Sequence, residues 1–168
     1  MDALVDLFTN RLLLVPLICW IISQLIKVVI NVIVEKEFSS ERLFGDGGMP
    51  SGHSATVTGL MSVAGWCYGF DSIIFAICFI LAVIVMHDAM GVRRETGKQA
   101  TTIKQLADAL NGLITERDEQ VRVEKLKELV GHTPLQVFFG LLLGVLVSVI
   151  FFAIAGIGYK EMLPIIIA

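Results

Sequence analysis

The chain has 168 residues, a formal net charge of −3 and a composition that is 55% hydrophobic, with a mean hydropathy of +0.79. Soluble globular domains are markedly more polar, so the composition excludes an ordinary soluble protein and predicts an all-α, integral-membrane helical bundle. The modest negative charge gives no support for nucleic-acid binding.

Four apolar segments have about the length that a bilayer span needs, which is roughly 20 residues. They cover residues 12–34, 53–70, 73–90 and 134–155. We expect a single membrane domain over residues 1–168. In the polar loop 91–133, apolar residues recur at helical spacing, which predicts one or two amphipathic helices that pack on the bundle or on the membrane surface.

Positive charges are distributed unequally between the two sides of this bundle. Four spans place both termini on one side and the loops 35–52 and 91–133 on the other. The first loop contains two Lys or Arg residues and the second contains eight, whereas the terminal side has Arg11 and Lys160. The positive-inside rule therefore predicts cytoplasmic loops and outside termini, most simply for a multi-pass protein of a bacterial inner membrane.

The segment 46–54 reads Asp-Gly-Gly-Met-Pro-Ser-Gly-His-Ser and leads directly into the second apolar segment. Pro50 suits the first turn of a helix, where its missing N–H costs nothing. The N–H groups of Ser51, Gly52 and His53 would then point at one spot, and a helix N-terminus favours an anion. His53 adds a group that exchanges protons near neutral pH. The segment predicts an anion site; the alternative is that His53 only caps the helix.

Two stripes of small or polar residues run along the spans. On the first span, one helix face carries Ser23, Gln24, Lys27 and Asn31. An ionisable side chain at the centre of a span costs roughly 2.5–3.5 kcal/mol and usually faces the bundle interior, although a lysine can also snorkel to the interface. On the fourth span, Gln136, Gly140, Gly144 and Ser148 recur every four residues. This spacing predicts a close helix–helix contact.

Two further polar clusters are expected at the loop side. One is His87-Asp88 followed by Arg93-Arg94, and the other is Gly131-His132-Thr133-Pro134. Phosphoryl transfer needs cations and N–H donors for the phosphate oxygens, a nucleophile such as histidine, and an acid for the leaving group. The simpler alternatives are an interfacial ion pair, cytoplasmic anchors and an ordinary helix start. No HxxxH or HExxH spacing occurs, so we expect no metal and no cofactor.

Two of these motifs carry a resemblance to a known family. Pro50-Ser51-Gly52-His53-Ser54 resembles the central motif of the type 2 phosphatidic acid phosphatases, the superfamily shared with the vanadium haloperoxidases. Residues 131–140, Gly-His-Thr-Pro-Leu-Gln-Val-Phe-Phe-Gly, resemble its last motif, in which a histidine opens a helix and an acid follows four residues later. The whole chain is similar to a divergent branch of that superfamily in bacteria and plants.

The resemblance implies a role for each matching position. His132 matches the nucleophile that forms a phosphohistidine, and His53 matches the acid that protonates the leaving group. The backbone and hydroxyl of Ser51, together with Gly52, would bind phosphate oxygens, as would Lys27, which matches the lysine of the first motif.

The chain departs from the pattern at its arginines. No Arg-Pro follows Lys27 at the expected spacing, so Arg42 is the candidate replacement, although no proline follows it. The arginine of the last motif should lie where the chain has Leu126. Arg93 or Arg94 is expected to serve instead.

The chain also departs from the pattern at the acid that orients the nucleophile. Gln136 occupies this position. A glutamine can accept a hydrogen bond from imidazole and so determine its tautomer, but it cannot stabilise imidazolium as a carboxylate does. Asp88 is the candidate substitute.

The predicted function is that of a membrane hydrolase of phosphoric monoesters or anhydrides. It would cleave a lipid phosphate or pyrophosphate through a phosphohistidine, with membrane lipid and this substrate as its partners. The sequence indicates no particular oligomeric state. The alternative is a non-catalytic membrane protein that retains an anion-binding pocket, which Gln136 and the incomplete first motif favour.

Overall fold

The computed structural model describes residues 2–35, 48–113 and 131–155, all of which are helical or lie in short turns. Six helices follow one another: α1 (Asp2–Thr9), α2 (Arg11–Glu35), α3 (Gly52–Tyr68), α4 (Ile73–Met90), α5 (Val92–Leu113) and α6 (Pro134–Ala155). The predicted all-α membrane bundle is confirmed, and α2, α3, α4 and α6 agree with the predicted segments to within two residues at each end.

Three helical stretches are long and apolar enough to cross a membrane. They are Arg11–Val34, Ile73–Gly112, which contains α4, and Pro134–Ala155. α3 has 17 residues, at the lower limit for a transmembrane helix. The crossing of the bilayer by α3, and with it the four-span topology, stays a prediction.

α3 is the central helix, because it packs against α2, α4 and α6. A Cβ added to Gly140 would lie 2.5 Å from the carbonyl oxygen of Ser51, and one added to Gly144 would lie 2.6 Å from that of Ala55. Both glycines are therefore required for the close approach of α6 to α3. The contact predicted from the four-residue spacing on the fourth span is confirmed.

The bundle has an apolar outer surface, and its interior combines an apolar core with a set of buried polar side chains. Its buried polar side chains are Ser23, Gln24, Lys27, Asn31, Ser51, Ser54, Thr58, His132 and Ser148. On α4, by contrast, only Cys78, Ala82 and Ala89 are buried, and bulky aliphatic side chains cover its outer surface. An outer surface of this kind fits a hydrocarbon environment, and polar groups gathered inside a membrane bundle usually mark a functional site.

The helix that follows the Pro-Ser-Gly segment does not include Pro50, which was expected in its first turn. Ser51 is the N-cap of α3, with its Oγ accepting a hydrogen bond from the backbone N–H of Ser54. Pro50 therefore precedes the cap instead of lying in the first turn, because a serine hydroxyl satisfies the N–H groups of that turn better than the preceding proline could.

α5 confirms a helix over the first part of the polar loop. It packs on α4, while Ile103, Leu106 and Leu110 on another of its faces are exposed. The helical prediction for residues 114–130 and the candidate Arg42 lie outside the described residues.

Candidate functional site

The two histidines of the predicted site lie in contact. His53 is in the first turn of α3, and His132 immediately precedes α6. The centroids of their rings are 5.8 Å apart, and the ring planes meet edge to face at 63°. His132 is 1% exposed, whereas His53 is half-buried and lines a cavity. The helix termini thus bring together two groups that are far apart in the chain.

The backbone holds His132 against the junction between α4 and α5. Its N–H donates to the carbonyl oxygen of Ala89, at 2.9 Å. The preceding Gly131 has a φ of +97°, and a Cβ there would overlap the backbone of Arg94. Only glycine adopts this conformation easily and permits such close packing. Gly131 therefore allows the chain to enter α6 with His132 turned inward.

Gln136 orients the imidazole of His132. Its Oε1 accepts the backbone N–H of Thr133 at 2.9 Å, while its own N–H donates to Thr133 Oγ1 at 3.3 Å. This reciprocal pair is a capping box. The same Oε1 lies 3.3 Å from His132 Nδ1. Because an amide oxygen only accepts, Nδ1 carries the proton, and a neutral His132 keeps the lone pair on Nε2.

The structure differs from the sequence prediction at Ser51. Its backbone N–H donates to the carbonyl oxygen of Gln136 at 3.0 Å, so this N–H joins α3 to α6 and does not point at an anion. Its hydroxyl is fully buried and accepts from both the N–H and the Oγ of Ser54. Gly52 and His53 are the positions of the predicted N–H cluster that remain at the helix terminus.

Lys27 lies at this same terminus. It is 6% exposed, so it faces the bundle interior and does not snorkel to the interface. A Cβ added to Gly52 would lie 3.7 Å from Lys27 Nζ, and one added to Gly48 would lie 3.7 Å from its aliphatic stem. These distances place the ammonium beside the start of α3, where cation and helix dipole together favour an anion.

The acidic and basic candidates lie around the junction between α4 and α5. Asp88 Oδ2 accepts from Arg93 Nε at 2.9 Å, and both side chains are partly exposed. Asp88 was the candidate to contact the His132 ring in place of an acid. The side chain that contacts His132 Nδ1 is that of Gln136. Arg94 contributes its backbone to the packing of Gly131, and its side chain is exposed. Within the described ranges, no group of three or more His, Cys, Asp or Glu side chains could hold a metal ion.

A cavity of about 340 Å³ opens beside His53, between α2, α3 and α4, and His132 is not among the residues that line it. His53, Lys27 and Gly52 form part of its wall, and Gln24 and Trp20 extend it along α2. The sequence interpretation placed Gln24 on the polar stripe without assigning it to the site, and it omitted Trp20. The spacing of Trp20, Gln24 and Lys27 places all three on one helix face, which is the signal that could have identified them.

Comparison with known proteins identifies the family of the chain. The family model described as the Divergent PAP2 family matches residues 8–147. The chain is 43% identical over 151 residues to the uncharacterized membrane protein YuiD of Bacillus subtilis (strain 168), covering 86% of this chain and 96% of that protein. No solved structure matches the chain significantly. The family match extends from the end of α1 into α6 and includes both histidine motifs. The chain is therefore a membrane protein that belongs to the Divergent PAP2 family.

Proposed function

We propose that the protein is a membrane phosphatase that hydrolyses a lipid phosphate or pyrophosphate through a phosphohistidine. The observation that carries this proposal is the contact between the rings of His53 and His132, 5.8 Å between centroids, next to the buried Lys27 at the start of α3. In a reactive complex, the nucleophile lies ~3–3.5 Å from phosphorus and the acid lies about 2.6–3.2 Å from the leaving oxygen. The two imidazoles can satisfy both distances around one phosphoryl group once the His53 side chain has moved aside to admit it.

In the proposed mechanism, His132 Nε2 attacks phosphorus while the bond to the leaving oxygen breaks. Protonated His53 gives its proton to that oxygen. Neutral His53 then takes a proton from water, which attacks the phosphohistidine and releases phosphate. Lys27 and the N-terminus of α3 would neutralise the non-bridging oxygens. Because His132 lies behind His53, the phosphate reaches Nε2 when the His53 side chain moves aside.

A second candidate function is binding of a phosphorylated ligand without hydrolysis. Two observations favour it. Gln136, which stands beside His132 Nδ1, carries no charge to stabilise an imidazolium, and His132 is 1% exposed. Lys27 and the start of α3 would still hold the anion.

The test is phosphate release from a panel of lipid phosphates and pyrophosphates by purified protein in detergent. We expect His132→Ala and His53→Ala each to lower kcat by about 10³-fold or more. The third histidine, His87, is exposed at the end of α4, so His87→Ala is the matched control and should retain the wild-type rate. Equal rates for wild type and His132→Ala would remove His132 as the nucleophile.

Trapping of the intermediate separates the two functions. An aryl phosphate has a leaving group that needs little protonation, so His53→Ala should accumulate an acid-labile phosphohistidine that is absent from the double variant with His132→Ala. Binding of inorganic phosphate or vanadate by wild-type protein, without turnover or covalent label, would instead support the binding function.

A further inference from the structure

α5 leaves the bundle at the point where α4 ends. Gly91, between the two helices, has a φ of −95° and a ψ of −99°, so the helical backbone is interrupted there. Among the described helices, α4 is the one against which α5 packs most extensively. Because α4 is long and apolar enough to cross the bilayer, α5 begins near the boundary between hydrocarbon and water. An amphipathic helix that starts at this boundary can lie in the plane of the membrane.

One face of α5 carries exposed apolar side chains. At about 100° per residue, Val92, Ile103, Leu106 and Leu110 lie within about 60° of one another around the helix axis. Each of these four residues is between 42% and 70% exposed. The buried residues of α5 are small and lie on a neighbouring face; they are Gly97, Ala100 and Ala107. The apolar stripe is therefore distinct from the face through which α5 packs on the rest of the protein.

Lysines flank this stripe on both sides. Lys98 and Lys104 lie about 120° from its centre, in opposite directions around the helix axis, and both are exposed. Their aliphatic stems can cover hydrocarbon while the ammonium groups reach the headgroups. The ion pair of Lys98 with Glu95 is exposed, and such pairs are weak enough to exchange for a lipid phosphate. α5 carries four Lys or Arg residues and two Asp or Glu residues, so the helix as a whole attracts negative charge.

This arrangement fits a lipid surface better than a protein partner. The apolar residues form one narrow row that extends for about 27 Å from Val92 to Leu110, with flexible cations on both sides, as in helices that lie at membrane interfaces. Protein interfaces instead gather aromatic residues and arginine in a compact patch from which lysine is depleted. The positive-inside rule predicts that this end of the bundle faces the cytoplasm, where the leaflet contains acidic lipids.

We propose that α5 docks along an anionic membrane surface, beside the end of the bundle that carries the two histidines. The apolar stripe lies in the hydrocarbon boundary, and Lys98 and Lys104 contact the phosphates of acidic lipids. This inference does not depend on the proposed function, because it concerns a helix outside the cavity and is tested by the position of that helix.

The experiment measures the depth of single spin labels in the full-length protein. In a background without Cys19, Cys67 and Cys78, a nitroxide is attached to Ile103→Cys, on the stripe, or to Gln105→Cys. The two positions are about 160° apart around the helix, and both are exposed. Each labelled protein is reconstituted into vesicles of phosphatidylcholine mixed with an equal amount of phosphatidylglycerol, or of phosphatidylcholine alone.

In the acidic vesicles, we expect the label at 103 to collide more with oxygen, which concentrates in hydrocarbon, than with a water-soluble nickel chelate. The label at 105 should show the opposite order. In phosphatidylcholine alone, accessibility of the label at 103 to nickel should rise about twofold or more, because the attraction between lysines and acidic lipids is lost. High salt should have the same effect in the acidic vesicles.

Charge variants separate the contribution of the lysines from that of the stripe. Lys98→Gln combined with Lys104→Gln should give, in the acidic vesicles, the nickel accessibility seen in phosphatidylcholine alone. Lys98→Arg combined with Lys104→Arg is the matched control and should retain the membrane-bound position. Free access of nickel to both labels in the acidic vesicles would place α5 in water and overturn the inference. Two other results also overturn it: a label at 103 shielded from both reagents, as a protein partner or a second copy would produce, and a depth that is equal in the two kinds of vesicle.

Discussion

At the scale of single residues, the neighbourhood of His132 is organised by backbone groups as much as by side chains. The carbonyl oxygen of Gln136 receives the Ser51 N–H, and its side-chain oxygen receives the Thr133 N–H while facing His132 Nδ1. One residue therefore caps α6, joins it to α3 and sets the tautomer of the proposed nucleophile. A glutamine performs all three tasks, and what it lacks relative to a carboxylate is charge.

This difference leads to a prediction for Gln136→Glu. The carboxylate retains acceptors for Thr133 and His132 and stabilises the imidazole as positive charge develops during attack. We expect kcat to rise about tenfold or more, with the direction set by charge stabilisation in the transition state. Steady-state phosphate release by the purified variant measures it.

Gln136→Met is the matched control, because it removes the acceptor without adding charge; its kcat should fall. A Gln136→Glu variant that binds phosphate normally but is no faster than wild type would contradict the role of His132 as nucleophile.

At the scale of elements, close packing of α6 on α3 determines where His132 lies relative to His53. The contact depends on the absence of side chains at Gly140 and Gly144. Carbonyl oxygens of α3 occupy the space that a Cβ at either position would need. A wider spacing between these helices would separate the two imidazoles and would break the bond from the Ser51 N–H to α6.

Gly144→Ala tests this packing. Its Cβ would lie 2.6 Å from the carbonyl oxygen of Ala55 and 2.9 Å from the backbone N of Gly59. Backbone atoms cannot move aside cheaply, so we expect a loss of about 1–3 kcal/mol in the free energy of unfolding. Chemical or thermal unfolding in detergent measures the loss.

Gly112→Ala is the corresponding control on α5, because a Cβ there meets nothing within 4 Å. Its stability should be unchanged or slightly higher, since alanine favours the helix. Equal stabilities for the two variants would show that the contact between α3 and α6 tolerates a methyl group.

α5 has a different role among the elements. It contacts α4, and its exposed apolar side chains Ile103, Leu106 and Leu110 lie on one helix face. Of the two alternatives left by the sequence, this exposed stripe favours contact with the membrane surface over full burial on the bundle. The start of α5 also supplies the backbone against which Gly131 packs, so its position bears on the site.

At the scale of the whole molecule, the proposed site lies at a single end of the bundle. α2 runs toward this end beyond Lys27, α4 finishes there, and α3 and α6 begin there. The two predicted loops that carry most of the Lys and Arg residues join the helices at the same end. By the positive-inside rule, we expect the site to open toward the cytoplasmic side of the membrane.

Cysteine labelling in intact cells tests this orientation. In a background without Cys19, Cys67 and Cys78, we expect Asp71→Cys, in the exposed turn between α3 and α4, to react with an impermeant maleimide. Thr96→Cys, exposed on α5, should react only after the cells are permeabilised. The opposite pattern would reverse the orientation, and labelling of both positions from outside would contradict a crossing by α4.

The sequence by itself determined the helices, their approximate bounds, the interior-facing stripe of α2 and the two histidine motifs. These features depend on local patterns: the length of apolar runs, the 3.6-residue period and the chemistry of helix starts. Pro50 was misplaced because the choice of N-cap depends on which side chain reaches the first free N–H groups.

Only the tertiary structure decided how these elements combine. It placed His53 against His132, engaged the Ser51 N–H with α6 and paired Asp88 with Arg93. It also formed the cavity that Lys27, Gly52 and His53 line. These outcomes depend on the distance between packed helices. That distance is set where a glycine of one helix contacts the backbone of another. Such contacts join segments that are far apart in the chain, so no local sequence pattern specifies them.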